Sequence, residues 1–152
     1  MTKQKLVLDK STIINLFNNK KFNKISKNAN SIINYYQTDI DVCKLVIASE
    51  INLKNYLKAE RHLKQIIEKN NNDEIYYLYG NVLKIQNKFH EAISAFKKAI
   101  LINNSFSEAF NNLANTQKKI DEIENAKYNY LQAIKSNNSN LSAYFNLANL
   151  YR

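Results

Sequence analysis

The sequence predicts an all-α fold, a right-handed solenoid of antiparallel helical hairpins with about four repeats and a terminal helix. Three observations lead there. The 152-residue chain has no proline and a single glycine, Gly80, so it lacks the residues that punctuate sharp turns and sheets. Its apolar positions recur at helical spacing. The same pattern returns every 34 residues, which is how stacked hairpins announce themselves.

The period is clearest from residue 73 onward. Placing 73–106 over 107–140 and over 141–152 aligns Tyr76, Phe110 and Tyr144; then Tyr79, Leu113 and Leu147; then Gly80, Ala114 and Ala148. In the second half of each repeat Ala92 aligns with Ala126, Phe96 with Tyr130, and Ala99 with Ala133. The frame continues backwards with one residue missing, through Ala59, Leu63 and Ile66 and then Ile25, Ala29 and Ile32. A column that closes each hairpin holds Phe22, Tyr56, Phe89 and Ile123. The repeats fall at about 6–39, 40–72, 73–106 and 107–140, with a partial one at 141–152, in a single domain.

Within a repeat, Tyr76, Tyr79, Gly80 and Leu83 form one stripe of a helix, and Ala92, Phe96 and Ala99 form a second after a break at Asn87-Lys88. Small residues at Gly80, Ala92 and Ala99 let the two helices approach. Ser105 with Glu108, and Asp121 with Glu124, have capping-box spacing. Asn-rich linkers at 70–72, 103–104 and 137–138 favour caps and turns over helix interiors.

This arrangement of an aromatic, Leu-Gly or Leu-Ala, then Ala, aromatic and Ala on a 34-residue period resembles the tetratricopeptide repeat. The resemblance covers about 6–152 and is strongest in the repeats beginning at Asp73 and Ser107. The family's usual proline near the end of each repeat is replaced by Gln37, Asn71, Asn104 and Asn138. Bulky Ile13 and Ile47 stand where the small residue belongs, which predicts wider hairpins near the N-terminus. The resemblance implies that the first helix of each repeat lines a concave binding surface.

The stripe left over on those helices is the candidate peptide-binding face. It comprises Tyr77, Leu78, Asn81, Lys84 and Ile85; Asn111, Asn112, Asn115, Lys118 and Lys119; and Phe145, Asn146, Asn149 and Arg152. Two columns repeat at the period: Asn81, Asn115 and Asn149, and Asn112 with Asn146. Each asparagine offers both a donor and an acceptor, so a ladder of them suits the backbone of an extended peptide. The Asn-Leu-Ala stretches at 112–114 and 146–148 are similar to the ladder of the O-linked N-acetylglucosamine transferases, although Leu78 interrupts it. Lys84, Lys118 and Lys119 make one end positive and favour an acidic partner. Chaperone-binding members clamp a terminal carboxylate with a Lys four residues before an Asn. Those places hold Tyr77, Asn111 and Phe145 here, so clamp activity is not expected.

Composition narrows the alternatives. The net charge of +9 would suit nucleic acid. However, Arg61 and Arg152 are the only arginines, the lysines are spread over both helices of each repeat, and the Asn-, Lys- and Ile-rich composition fits the codon bias of an AT-rich genome. Nucleic acid is therefore the least favoured of three readings. The leading one is a protein-interaction scaffold, and the second is the substrate-recognition arm of a larger glycosyl- or sulfotransferase.

No catalytic machinery, cofactor or metal site is expected. One glycine cannot build a phosphate loop. His62 and His90 lie in different repeats and are read as solvent-side residues. Cys43 stands alone, excludes an internal disulfide, and is read as a small core residue. Asp121, Glu122 and Glu124 open a helix, where negative charge is stabilising. No apolar run reaches the length of a membrane span, and a cytoplasmic location is expected. Finally, Tyr144, Leu147, Ala148, Leu150 and Tyr151 predict an apolar surface at the last helix. It would be covered either by more chain in a longer protein or by self-association through 141–152.

Overall fold

The computed structural model describes residues 7–151, which hold nine helices and no strand. Their order is α1 (Lys10–Asn18), α2 (Phe22–Tyr35), α3 (Ile40–Asn52), α4 (Tyr56–Ile67), α5 (Asp73–Ile85), α6 (Phe89–Ile102), α7 (Ser107–Lys119), α8 (Ile123–Ser136) and α9 (Leu141–Ala148). The chain divides between Asn70 and Asn71 into two compact bodies. The N-terminal body packs α1 and α2 on α3, and α3 on α4. The C-terminal body packs α5 on α6, α6 on α7, α7 on α8 and α8 on α9, and its odd-numbered helices form a row. The expectation of wider hairpins at Ile13 and Ile47 agrees with a less extensive pairing of α1 with α2 and α3 with α4 than of α5 with α6.

Four of the five odd helices start from side-chain caps. Asp9, Asp39, Asn72 and Asn140 accept hydrogen bonds from the backbone N–H groups of Thr12, Val42, Ile75 and Ala143, satisfying donors the helix itself cannot. The capping boxes expected at Ser105 and Asp121 do not form. Ser105 bonds Asn103 instead, and α7 starts behind Phe106, which supplies no side-chain cap. Asp121 has φ of 61° and belongs to the turn before α8.

That turn recurs. Lys20, Lys54, Asn87 and Asp121 all have positive φ, and the next residue's N–H reaches back to the carbonyl of Leu16, Glu50, Leu83 or Gln117. This is the closing geometry that usually employs glycine. It joins each odd helix to the even one so tightly that the even helices begin without side-chain caps.

The repeating small and aromatic columns are the core. Gly80, Phe96, Ala114 and Tyr130 are buried, as are Ile13, Ile25, Ile47 and Leu63. Leu83, Ala92, Ile93, Ala95, Phe96 and Leu113 form one cluster, and Ala114, Ala126 and Tyr130 a second that Leu147 and Leu150 partly cover. At Gly80 an added Cβ would stand 2.5 Å from Phe96 Cε1; only glycine lets that ring lie against the helix.

Cys43 is buried, as expected of a core residue, and burial pushes its thiol up to about 11. His62 corrects the sequence reading. It is 1% exposed rather than solvent-facing, because its face of α4 turns towards α2, where Asn30 Oδ1 lies 2.9 Å from Nε2. His90 is exposed.

Candidate functional site

The row α5, α7 and α9 carries the residues that the sequence places on the candidate face. Tyr77 is half-buried with its ring 4.9 Å from Phe106 and 6.0 Å from Phe96. The aromatic pairing accounts for Phe106 at a position where the other odd helices have Asp or Asn: the cap is given up and a ring fills the gap above Tyr77.

The asparagines bond to one another across helices. Asn112 Nδ2 donates to Asn81 Oδ1 at 2.8 Å and to the Tyr77 hydroxyl at 3.1 Å. Asn146 Nδ2 donates to Asn111 Oδ1 at 3.0 Å, and Asn111 is buried. The column of Asn112 and Asn146 therefore commits its amide donors to the neighbouring helix. Such bonds fix the amide planes and tie α5 to α7 and α7 to α9. Asn115 is held differently: the buried Tyr130 hydroxyl donates to its Oδ1 at 2.8 Å. Asn149 caps α9 rather than standing within it, so the third rung sits off the helical position of the first two. Phe145 is 68% exposed. Arg152 lies outside the described residues.

At the C-terminal ends of α5 and α7 an open pocket of about 630 Å³ is lined by Lys84, Asn87, Phe89, Asn115, Lys118 and Lys119. All three lysines expected to make one end positive line it. Lys84 is half-buried, and that burial lowers its pKa. Lys118 and Lys119 are exposed and sit in the last turn of α7, where positive charge also complements the helix dipole.

Sequence reasoning missed three contributors. Phe89 and Asn87 line the pocket from the closing turn, and the signal was available in the Phe22, Tyr56, Phe89, Ile123 column. Tyr130 reaches the face from α8 by its hydroxyl, which nothing in the period distinguishes from the Phe96 ring one repeat earlier.

Elsewhere the expected apolar surface at α9 is partial. Leu147 and Leu150 pack onto the preceding hairpin, whereas Tyr144 and Tyr151 are exposed, as are Leu141 and Phe145. Lys127 lies 5.2 Å over the Tyr151 ring. Among the described residues no helix is long and apolar enough to cross a membrane, and no three His, Cys, Asp or Glu side chains group as metal ligands would.

Comparison with known proteins agrees with the helical-hairpin fold. The tetratricopeptide repeat model matches residues 73–106 and 107–140. A crystal structure of MamA is similar over 96% of this chain and 85% of its own, with a TM-score of 0.83 and 16% identity. The first repeat domain of Spaghetti (RPAP3), bound to the HSP90 peptide SRMEEVD, is similar over 72% of this chain and 88% of its own, with a TM-score of 0.69 and 18% identity. The second such domain of human RPAP3, in complex with the HSP70 peptide SGPTIEEVD, is similar over 72% and 92%, with the same TM-score and identity. No curated protein sequence matches closely enough to count as a relative. The chain therefore carries tetratricopeptide repeats at 73–106 and 107–140, in a helical-hairpin fold it shares with these structures.

Proposed function

We propose that this chain is a protein-interaction module that holds an extended, acidic peptide across α5, α7 and α9. The observation that carries the reading is the row of amide side chains fixed by Asn112–Asn81, Asn146–Asn111 and Tyr130–Asn115 bonds, running to a pocket lined by three lysines. Amides whose orientation is already set lose little entropy on binding. The lysines supply steering and preference for negative charge. The peptides bound by two similar structures, SRMEEVD and SGPTIEEVD, are themselves acidic. The resemblance to the O-linked N-acetylglucosamine transferases rests on the Asn-Leu-Ala stretches alone and supplies no catalytic group.

The test compares partners captured from the source cell by the unaltered chain and by an Asn81→Ala/Asn115→Ala variant. The reading expects specific partners to be lost while circular dichroism shows unchanged helix content. Retention of every partner would sink it and move the search to the even-numbered helices or to α9.

A further inference from the structure

We propose that the pocket at the ends of α5 and α7 is a phosphate-monoester site, which takes a phosphorylated serine or threonine of the bound partner. This deepens the peptide-binding reading and rests on it for the source of the phosphate.

Charge is the first ground. Lys84, Lys118 and Lys119 converge on one pocket whose lining contains no carboxylate. Three lysines elsewhere in the chain do pair with acids: Lys10 with Asp39, Lys44 with Asp41 and Lys64 with Glu60. Of the acids nearest in sequence, Asp121 belongs to the turn before α8 and Glu122 accepts at Oε2 from Gln117 and Asn125; neither lines the pocket. A phosphate monoester carries a charge of about −1.5 to −2 and three acceptor oxygens, whereas a carboxylate brings one charge and two oxygens. Three ammonium groups match the former.

Orientation is the second ground. Tyr130 is fully buried and its hydroxyl occupies Asn115 Oδ1. The Asn115 amide N–H groups are thereby the part of that side chain left to meet a ligand in the pocket, and they are donors, as a phosphate requires. Desolvation is the third. Half-burial of Lys84 disfavours its charge, a cost that an anion brought against the ammonium would offset.

The source follows from Asn115, which belongs both to the pocket and to the amide row. A peptide lying along that row delivers a side chain into the pocket. A nucleic-acid phosphodiester carries a single charge per phosphate and matches three clustered lysines less well.

The experiment has two parts. Inorganic phosphate is titrated into the isotopically labelled chain at constant ionic strength and followed by NMR. A heptapeptide of alternating alanine and glutamate is then compared with phosphoserine, glutamate or serine at its centre, alongside single-stranded oligouridine. The proposal expects phosphate to shift signals of Lys84, Asn115, Lys118 and Lys119 selectively. It expects the phosphoserine peptide to bind at least about tenfold more tightly than the glutamate one, as charge-assisted bonds to a second negative charge imply. Lys84→Met, and separately Lys118→Gln/Lys119→Gln, should each abolish that preference with helix content intact.

Shifts spread over all lysines, equal binding of the phosphoserine and glutamate peptides, or oligouridine binding as tight as the phosphopeptide would each overturn it. The two readings fail separately. Loss of the phosphoserine preference alone removes the pocket proposal. An Asn81→Ala variant that binds every peptide unchanged removes the amide-row reading, whatever the pocket does.

Discussion

The two bodies fill one structural slot from opposite sides. In the N-terminal body the odd helix contributes the large residue, Ile13 or Ile47, and sixteen residues later the even helix carries Ala29 or Leu63. In the C-terminal body the odd helix is cut back to Gly80 or Ala114 and the even helix supplies Phe96 or Tyr130. All eight are buried. Close packing demands that the slot be full, not which helix fills it. The choice has a functional consequence. Only a ring projected from the even helix is long enough to reach the face of the odd ones. Phe96 packs against Tyr77, and Tyr130 orients Asn115. The candidate site lies in the body where the exchange has been made.

The largest effects should come from undoing that exchange. Phe96→Ala should cost about 3–5 kcal/mol, the usual range for deleting a buried ring. Gly80→Ala should cost about 1–3 kcal/mol through overpacking, since the new Cβ meets Phe96. Adding Phe96→Leu to Gly80→Ala should recover part of the second loss, because the pair then approaches the Ile47–Leu63 solution. Hydrogen exchange resolved by body is the measurement. Equal losses in both bodies, or no recovery in the double variant, would break the comparison.

A second contrast concerns a polar column. Glu50 and Gln117 occupy equivalent places, and both are buried. Gln117 is satisfied by a neutral partner and a partly exposed one: it accepts from Asn129 and donates to Glu122. Glu50 accepts from Ser26 at 2.9 and 3.0 Å and from Asn55 at 2.8 Å. The place of Asn129 is taken by His62, whose Nδ1 is buried without a partner. Burial holds the His62 pKa below its usual value of 6.5; Glu50 opposes this, while Arg61 and Lys58 add to it. A histidine kept neutral when folded binds a proton more readily when unfolded. Its contribution is present above 6.5 and is lost as the pH falls from there through the folded value. Taking the pH from 7.5 to 5.5 should therefore lower the amide protection factors, corrected for the intrinsic exchange rate at each pH, in 7–70 more than in 71–151. His62→Asn, the residue found at Asn129, should flatten that dependence. A histidine variant with an unchanged pH profile would assign the effect elsewhere.

These contrasts also mark what the sequence reveals. The period, the core columns and the linker asparagines were legible because burial and capping impose residue types at fixed spacing. Asn72 caps as expected, and Cys43 is core. His62 was not legible, since its column elsewhere holds Asn28, Ala95 and Asn129 and carries no hydrophobic signal. The Ser105 and Asp121 boxes failed for a different reason. Their spacing is right, but Phe106 favours the Tyr77 ring over a polar cap, and Asp121 is needed in the left-handed turn. At the face, the Asn columns were visible, but not that Asn112 and Asn146 turn their donors to Asn81 and Asn111. Which partner an amide selects depends on helix spacing, which residue order alone does not state.

The turns supply the smallest expected effect and the control for the rest. Lys20 and Lys54 hold positive φ with side chains that disfavour it, whereas Asn87 and Asp121 tolerate it better. Glycine at Lys20 or Lys54 removes a strain of about 1–2 kcal/mol but adds freedom to the unfolded chain, leaving a net gain of about 0.5–1 kcal/mol; Asn87→Gly and Asp121→Gly should give less. Urea unfolding of the single variants checks this. Similar gains at Lys20 and Lys54, with smaller and similar ones at Asn87 and Asp121, would mean that the hairpin turn is the same device in both bodies, so that their differences lie in the aromatic slot and the polar column. Gains at Asn87 and Asp121 that exceed those at Lys20 and Lys54 would instead place part of the difference in the turn, and the wider N-terminal hairpins would then owe as much to how they close as to Ile13 and Ile47.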